Sequence, residues 1–312
     1  MHADDLFQNI TDELIAAIEA GTSTWRMPWH TIADAGTPVN VDGRAYRGLN
    51  ALWLPLTAAA QGWDSGVWAT YRGWQRHGAQ VRRGEKGTPV VLWKPTTTAP
   101  TGRPDGDDTD TTDDSDPTGS TRRRLVARVY TVFAAEQADN TGDIIQRRRT
   151  PHTERDTPQR LEHAEHYFAQ LDAHVIEGGN RASYQPATDT IRIPTLAQFD
   201  TAAHYYATRA HETIHWTGHT SRLDRDLTGR FDSDAYAAEE LIAELGAAMW
   251  CAQAHLSTVT RDDHAAYLAG WLRILRADPK ALVTVASRAQ GALDWLNTRA
   301  GITTAAAGTE AA

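Results

Sequence analysis

Cysteine is almost missing from this chain: Cys251 is the single one in 312 residues. No disulfide can form within it, and a reducing, cytoplasmic location is the expectation. Long apolar runs are missing too, and nothing approaches the roughly 20 residues that a membrane helix needs. A bilayer is therefore not an expected partner. The first residues, Met1-His2-Ala3-Asp4-Asp5, are acidic and lack the apolar stretch of a secretory signal. No internal repeat is evident, which argues against solenoids and propellers. Phenylalanine is scarce, five against eleven tryptophans, and seven of those tryptophans fall within the first 95 residues. The aromatic surface is thus concentrated in the N-terminal half.

The net charge of −9 is uneven along the chain. Residues 1–95 balance nine basic against nine acidic groups, and 121–150 hold seven Arg against three acids. Residues 96–120 hold seven Asp against one Arg, and 151–312 carry twenty-one acids against fourteen bases. An acidic protein therefore contains a mildly basic front half, and partner arguments apply to its parts separately.

The acidic stretch has no aromatic and no large aliphatic residue, so it cannot bury enough surface to order itself. Its flanks, Val90 to Trp93 and Leu125 to Phe133, both read as strands. The expected organisation is α+β with two domains. The first, 1–145, is α+β, with 96–121 a disordered loop between paired strands. A linker covers 146–158, a mainly helical domain with a small sheet covers 159–300, and a disordered tail covers 301–312. Residues 5–20 read as an amphipathic helix with Leu6, Ile10, Leu14, Ile15 and Ile18 on its buried side.

The most informative stretch is His211-Glu212-Thr213-Ile214-His215. Residues i and i+4 of a helix share a face, so both imidazoles can reach one cation. The carboxylate of Glu212 stands ready as general base for a water on that ion. Thr201 to Arg209 contains no Gly or Pro, Asp200 is a candidate N-cap, and Gly218 offers a stop. The motif is therefore expected inside a helix. Zinc is the expected ion, one per chain, because it accepts imidazole nitrogen and keeps a position open for water.

A histidine six places past His215 would complete one class of site, but Ser221 stands there. The other solution takes a glutamate from the next helix, Ala235 to Ala254. Glu240 and Glu244 flank its apolar stripe, whereas Glu239 is read as pointing nearly the opposite way. Glu240 is assigned to the metal and Glu244 to orienting a ligand histidine, with the choice between them open. Tyr236 shares the Glu240 face and is a candidate oxyanion aid, although packing explains it equally simply. Thr190 to Ile193 reads as a strand, either interior or free to pair with an extended peptide, with a partner near Arg181 to Gln185. Asp262 to Ala277 and Pro279 to Ala300 read as packing helices.

Between Gly66 and Lys94 six basic residues interleave with Trp68, Tyr71 and Trp74, against one acid, Glu85. Cations that follow phosphates and aromatic faces that stack on unpaired bases suit single-stranded nucleic acid. Tryptophans in a core and arginines in solvated turns would produce the same pattern.

The chain resembles the ArdC family of antirestriction proteins over nearly all of residues 5–300. The resemblance rests on Ile18 to Gly21, Trp25 with Pro28-Trp29, Tyr46-Arg47-Gly48-Leu49-Asn50, Trp68-Ala69-Thr70, Val81 to Gly87 and Tyr130 to Phe133. Towards the end it rests on Tyr184-Gln185-Pro186 with Asp189, Ile193-Pro194, His211 to His219 and Glu239 to Gly246. The resemblance implies an N-terminal domain that binds single-stranded DNA and a C-terminal zincin-like metallopeptidase domain acting on an unknown protein. It implies a role for mobile elements, in protecting entering DNA from restriction. The residues expected to meet DNA are Trp25, Trp29, Tyr46, Arg47, Asn50, Trp68, Tyr71, Arg72, Trp74, Arg82, Arg83 and Lys86. Two other readings stay open at this stage: a DNA-binding module with a structural metal, and a plain peptidase whose front end binds protein.

Overall fold

The structure is a computed structural model that describes residues 3–20, 37–96, 124–148, 161–227, 234–256, 264–278 and 280–302. The acidic loop from residue 97, Trp25, Trp29, the linker from residue 149 and the tail from residue 303 lie outside them. The first half begins with helix α1 (Ala3–Ala20), whose Asp4 and Asp5 suit the positive end of the helix dipole. Leu6, Ile10 and Leu14, one turn apart, form its buried stripe. Strand β1 (Val39–Asn40) and helix α2 (Leu49–Gln61) follow. Helix α2 stops at Gly62, which takes a left-handed φ of 69° that favours glycine.

Strand β2 (Val67–Ala69) leads into helix α3 (Tyr71–Arg76), capped by Thr70, whose hydroxyl accepts the Gly73 N–H at 3.0 Å. Then come β3 (Gln80–Val81), β4 (Thr88–Thr96), β5 (Arg124–Ala134), β6 (Ala138–Asp139) and helix α4 (Gly142–Arg148). One sheet has the order β1-β2-β5-β4, with β1 and β2 parallel and the other pairs antiparallel. Strands β4 and β5 pair from Thr88↔Val132 to Thr96↔Arg124, so the acidic stretch joins the two arms of one ribbon.

The second half contains α5 (Glu162–Ala169), β7 (His174–Glu177), β8 (Ser183–Gln185) and β9 (Thr190–Ile193). Helices α6 (Ala202–Thr217), α7 (Asp234–Ala254), α8 (His264–Ala277) and α9 (Lys280–Arg299) follow. The cap of α6 is Thr201 rather than Asp200: its hydroxyl accepts the His204 N–H at 3.1 Å. The small sheet has the order β7-β9-β8, with β9 parallel to β7 and antiparallel to β8. The option of β9 as a peptide-binding edge is thereby removed, since both its edges are occupied. Strand β7 escaped the sequence reading because His174 to Glu177 is half-buried to exposed and lacks an apolar run.

The fold is α+β, with a four-stranded sheet and the two-stranded β3-β6 pair in the first half and a three-stranded sheet in the second, and the largest apolar cluster crosses between the halves. Leu6, Ile10, Leu14 and Leu52 share it with Ile214, Leu241, Trp271 and Leu293. Helix α1 thus packs on the C-terminal helices rather than on its own sheet alone. Gln290 Oε1 accepts the Gly48 N–H at 3.1 Å, and Arg47 is paired with Asp294 on α9. The interior tryptophans Trp68, Trp74, Trp250 and Trp271 are all fully buried. No helix among the described residues is long and apolar enough to cross a membrane.

Candidate metal centre

Helix α6 carries His211 and His215 one turn apart, and α7 crosses it closely enough for its glutamates to reach both. Gly246 permits that approach. A Cβ there would stand 2.8 Å from Cδ1 and 2.9 Å from Cγ1 of Ile214, which lies between the two histidines in sequence. The later residue of one helix meets the earlier residue of the other: His215 faces Glu239, and His211 faces Glu244. Glu240 lies between and addresses both.

The two Nε2 atoms are 3.2 Å apart. Glu240 places Oε2 at 3.5 Å from Nε2 of His211, and Oε1 at 3.5 Å from Nε2 of His215. Bonds of 2.0–2.1 Å in a tetrahedral site set donor atoms roughly 3.3 Å apart. Two imidazole nitrogens at this spacing, with one oxygen of the same carboxylate near each, suit a small divalent cation, and His211, His215 and Glu240 fit one. The electrostatics agree. Burial works against the charged form of His215, but hydrogen bonds to Glu239 and Glu240 outweigh it and raise its pKa to about 10. Burial likewise opposes ionisation of Glu240, yet His211 and His215 hold its carboxyl well below the ordinary range. A cluster that draws a proton so strongly is one whose negative charge a cation would neutralise.

Glu212 lies in the same turn as His211 and is 3% exposed. A bound divalent ion supplies Lewis acidity and makes water a better acid, with a pKa near 7 for zinc. Were such an ion held there, Glu212, next to His211 in sequence, is the carboxylate that would serve as general base to its water. Glu244 Oε1 stands 3.1 Å from Nδ1 of His211, on the ring side away from Glu240. Tyr236 is half-buried in the first turn of α7, one turn before Glu240.

Glu239 corrects the sequence reading. It does not point away: its Oε1 lies 3.1 Å from Nδ1 of His215, and Arg225 grips the same carboxylate. Adjacent positions on a helix differ by about 100°, and a long side chain next to a close-packed partner helix reaches across that angle. Arg225, in the segment after α6, was missed, because no periodic pattern marks an isolated arginine in a loop.

The residues expected to meet DNA separate into groups. Trp68 and Trp74 are 1% and 0% exposed, and the Trp74 indole donates to the Phe133 carbonyl at 3.0 Å. Neither offers a face to a base, and the stacking expectation for these two is overturned by the core they fill. Asn50 spends its amide on β4: Nδ2 donates to the Val91 carbonyl at 2.6 Å and Oδ1 accepts the Val91 N–H at 3.0 Å. That closes part of the open edge of the sheet. Arg47 is engaged with Asp294, and Tyr46 packs against Leu54, Trp68 and Val90, its hydroxyl pKa raised by burial. Arg82 is bound to Glu85 at 2.9 Å and to the Glu136 carbonyl. Tyr71, at 44% exposed, remains at the surface together with Arg72, Arg83 and Lys86.

Comparison with known proteins agrees with this division. Residues 4–133 match the N-terminal domain of the anti-restriction factor ArdC, and residues 162–288 match a zincin-like metallopeptidase family. The crystal structure of the antirestriction protein ArdC from plasmid R388 superposes with a TM-score of 0.74 at 39% identity, covering 95% of this chain and 98% of that one. Its Mn(II)-bound form gives 0.71 at 38% identity over the same shares. An uncharacterised protein, y4eC of Sinorhizobium fredii, is 45% identical over 94% of this chain and 92% of its own length. A DNA primase, TraC of Escherichia coli, is 37% identical over 93% of this chain but only 27% of itself. With relatives this close over nearly the whole length, and a carboxylate-flanked histidine pair at its centre, the chain belongs to the ArdC family of antirestriction proteins.

Proposed function

We propose that this protein binds single-stranded DNA through residues 1–145 and hydrolyses peptide bonds at a zinc site in residues 159–300, with 146–158 as the linker. The observation that carries the hydrolytic half is the convergence of His211, His215 and Glu240 beside a buried Glu212. The Mn(II)-bound relative supports a divalent ion at such a site. Two imidazoles with one carboxylate favour zinc, since manganese prefers an oxygen-rich shell. The plasmid ArdC and the TraC primase among the relatives support a role on mobile DNA, and the single cysteine suits action in the reducing cytoplasm. Replacing Glu212 by Gln should abolish peptide hydrolysis and leave metal content at one ion per chain. Hydrolysis that survives this change removes Glu212 as the base.

For DNA, the reading narrows to the exposed Tyr71 with Arg72, Arg83 and Lys86. One side of Tyr71 is tied by its hydroxyl, which accepts from Gln80 at 2.7 Å, so the ring is held in place for stacking. Three phosphate contacts would give a slope of log affinity against log salt of about −2 on a single strand. Binding of an oligonucleotide that ignores salt would refute this surface.

A further inference from the structure

We propose that Arg225 and Glu239 are positioning residues for the metal centre, together fixing the ring of His215 so that its Nε2 faces His211 and Glu240. This rests on the reading that those three residues hold a divalent ion. The Glu239 carboxylate meets donors on three sides: Nδ1 of His215 at 3.1 Å, and Nε and Nη2 of Arg225 at 2.9 and 2.8 Å. Side chains of both Arg225 and Glu239 are less than a tenth exposed. A buried carboxylate with a forked guanidinium across it has little freedom to rotate. The second lone pair of its Oε1 is aimed at the histidine.

Arg225 is itself held by the helix it serves. Nη2 donates to the Ile214 carbonyl at 2.7 Å, and Nη1 to the Thr217 hydroxyl at 2.8 Å. The Ile214 carbonyl is among the last four of α6, and besides Arg225 it accepts the Thr217 hydroxyl at 2.6 Å. One side chain thus ends α6, neutralises Glu239 and ties α7 to the turn bearing His215. Gly218 makes room, since a Cβ there would come within 3.0 Å of Nη2 of Arg225. On the other ligand, Glu244 Oε1 stands 3.1 Å from Nδ1 of His211. A carboxylate on the far nitrogen of a ligand imidazole sets its tautomer and basicity, and losing one weakens metal binding about 10- to 100-fold.

The test measures Zn2+ affinity by chelator competition, with Co2+ absorption as a second readout. Glu239→Gln is nearly isosteric but puts an amide NH2 among donors, so about tenfold weaker Zn2+ binding and an altered Co2+ band are expected. Arg225→Lys keeps the charge and loses the fork, and a loss in the same direction is expected. Trp271→Phe serves as control. It breaks the indole bond to the Ala237 carbonyl on α7, at 2.9 Å, while leaving every donor side chain in place, and should lower stability with metal affinity unchanged. If Glu239→Gln binds Zn2+ as tightly as wild type, the positioning role is overturned. It is overturned equally if Trp271→Phe weakens binding as much, because affinity would then follow general stability. A wild-type protein that binds no Zn2+ sinks the metal centre itself, a distinguishable result.

Discussion

Gly246→Ala should damage the metal centre without touching any ligand. The added Cβ would stand 2.8, 2.9 and 3.2 Å from three carbons of Ile214, which is wholly buried. Carbon–carbon contact is comfortable from about 3.5 Å, so α6 and α7 must separate by roughly 0.7 Å or Ile214 must leave its rotamer. Overpacking of this kind costs about 1–3 kcal/mol, and replacing a helical glycine by alanine returns about 1 kcal/mol. The net expectation is a loss of about 1 kcal/mol, a melting decrease of a few degrees. Metal sites tolerate displacements of only about 0.2 Å, so the larger effect falls on binding. Glu240 moves with α7 and the histidines with α6, and Zn2+ affinity should fall at least about tenfold, near 1.4 kcal/mol. Adding Ile214→Val removes the atom at 2.8 Å and should recover part of both losses. Chelator competition and calorimetric melting on the four proteins of this cycle provide the measurement. Wild-type affinity in Gly246→Ala would refute the idea that helix spacing sets the donor triangle.

Trp68→Ala should cost about 3–5 kcal/mol in urea unfolding, as a core tryptophan does, whereas Lys86→Ala should leave stability intact and lower the salt slope by about 0.7. Asn50→Ala leaves the Val91 N–H and carbonyl without their side-chain partners and should destabilise by about 1–3 kcal/mol, read by the same unfolding curves. Asp189 bears on acid stability: hydrogen bonds from Arg222 hold its carboxyl below the ordinary range, against the opposing effect of burial. Its folded pKa is depressed, so its contribution is present above the unfolded value near 4 and is lost as pH falls through the folded one. Asp189→Asn should therefore flatten the acid limb of stability below about pH 4, and an unchanged limb would rule the pair out as its source.

Arg222 also explains residues that resemblance alone singled out. It donates to Asp189 and to the Trp216 carbonyl at 2.6 Å, and its guanidinium lies 4.0 Å from the centre of the Trp216 ring. The Tyr184 hydroxyl donates to Asp189 at 2.8 Å. The chain leaving α6 is thus pinned to the turn between β8 and β9, while Arg225 pins it to α7. The segment after the histidine motif acts as a brace on the C-terminal end of that helix.

Local rules carry a good part of this protein. The spacing of His211 and His215, the apolar stripe of α1, the stop at Gly218 and the two ribbon strands beside the acidic stretch follow from period and turn chemistry, which depend on neighbours in sequence. Other properties are decided by neighbours in space. Tryptophan among arginines reads the same whether the ring fills a core or meets solvent, and only packing buries Trp68 and Trp74 while leaving Tyr71 exposed. A glutamate's direction on a lone helix says little when a second helix lies close enough for a long side chain to cross to it. Gly246 lets α6 and α7 come that near, and their crossing gives Glu240 to the donor triangle and Glu239 and Glu244 to the two rings.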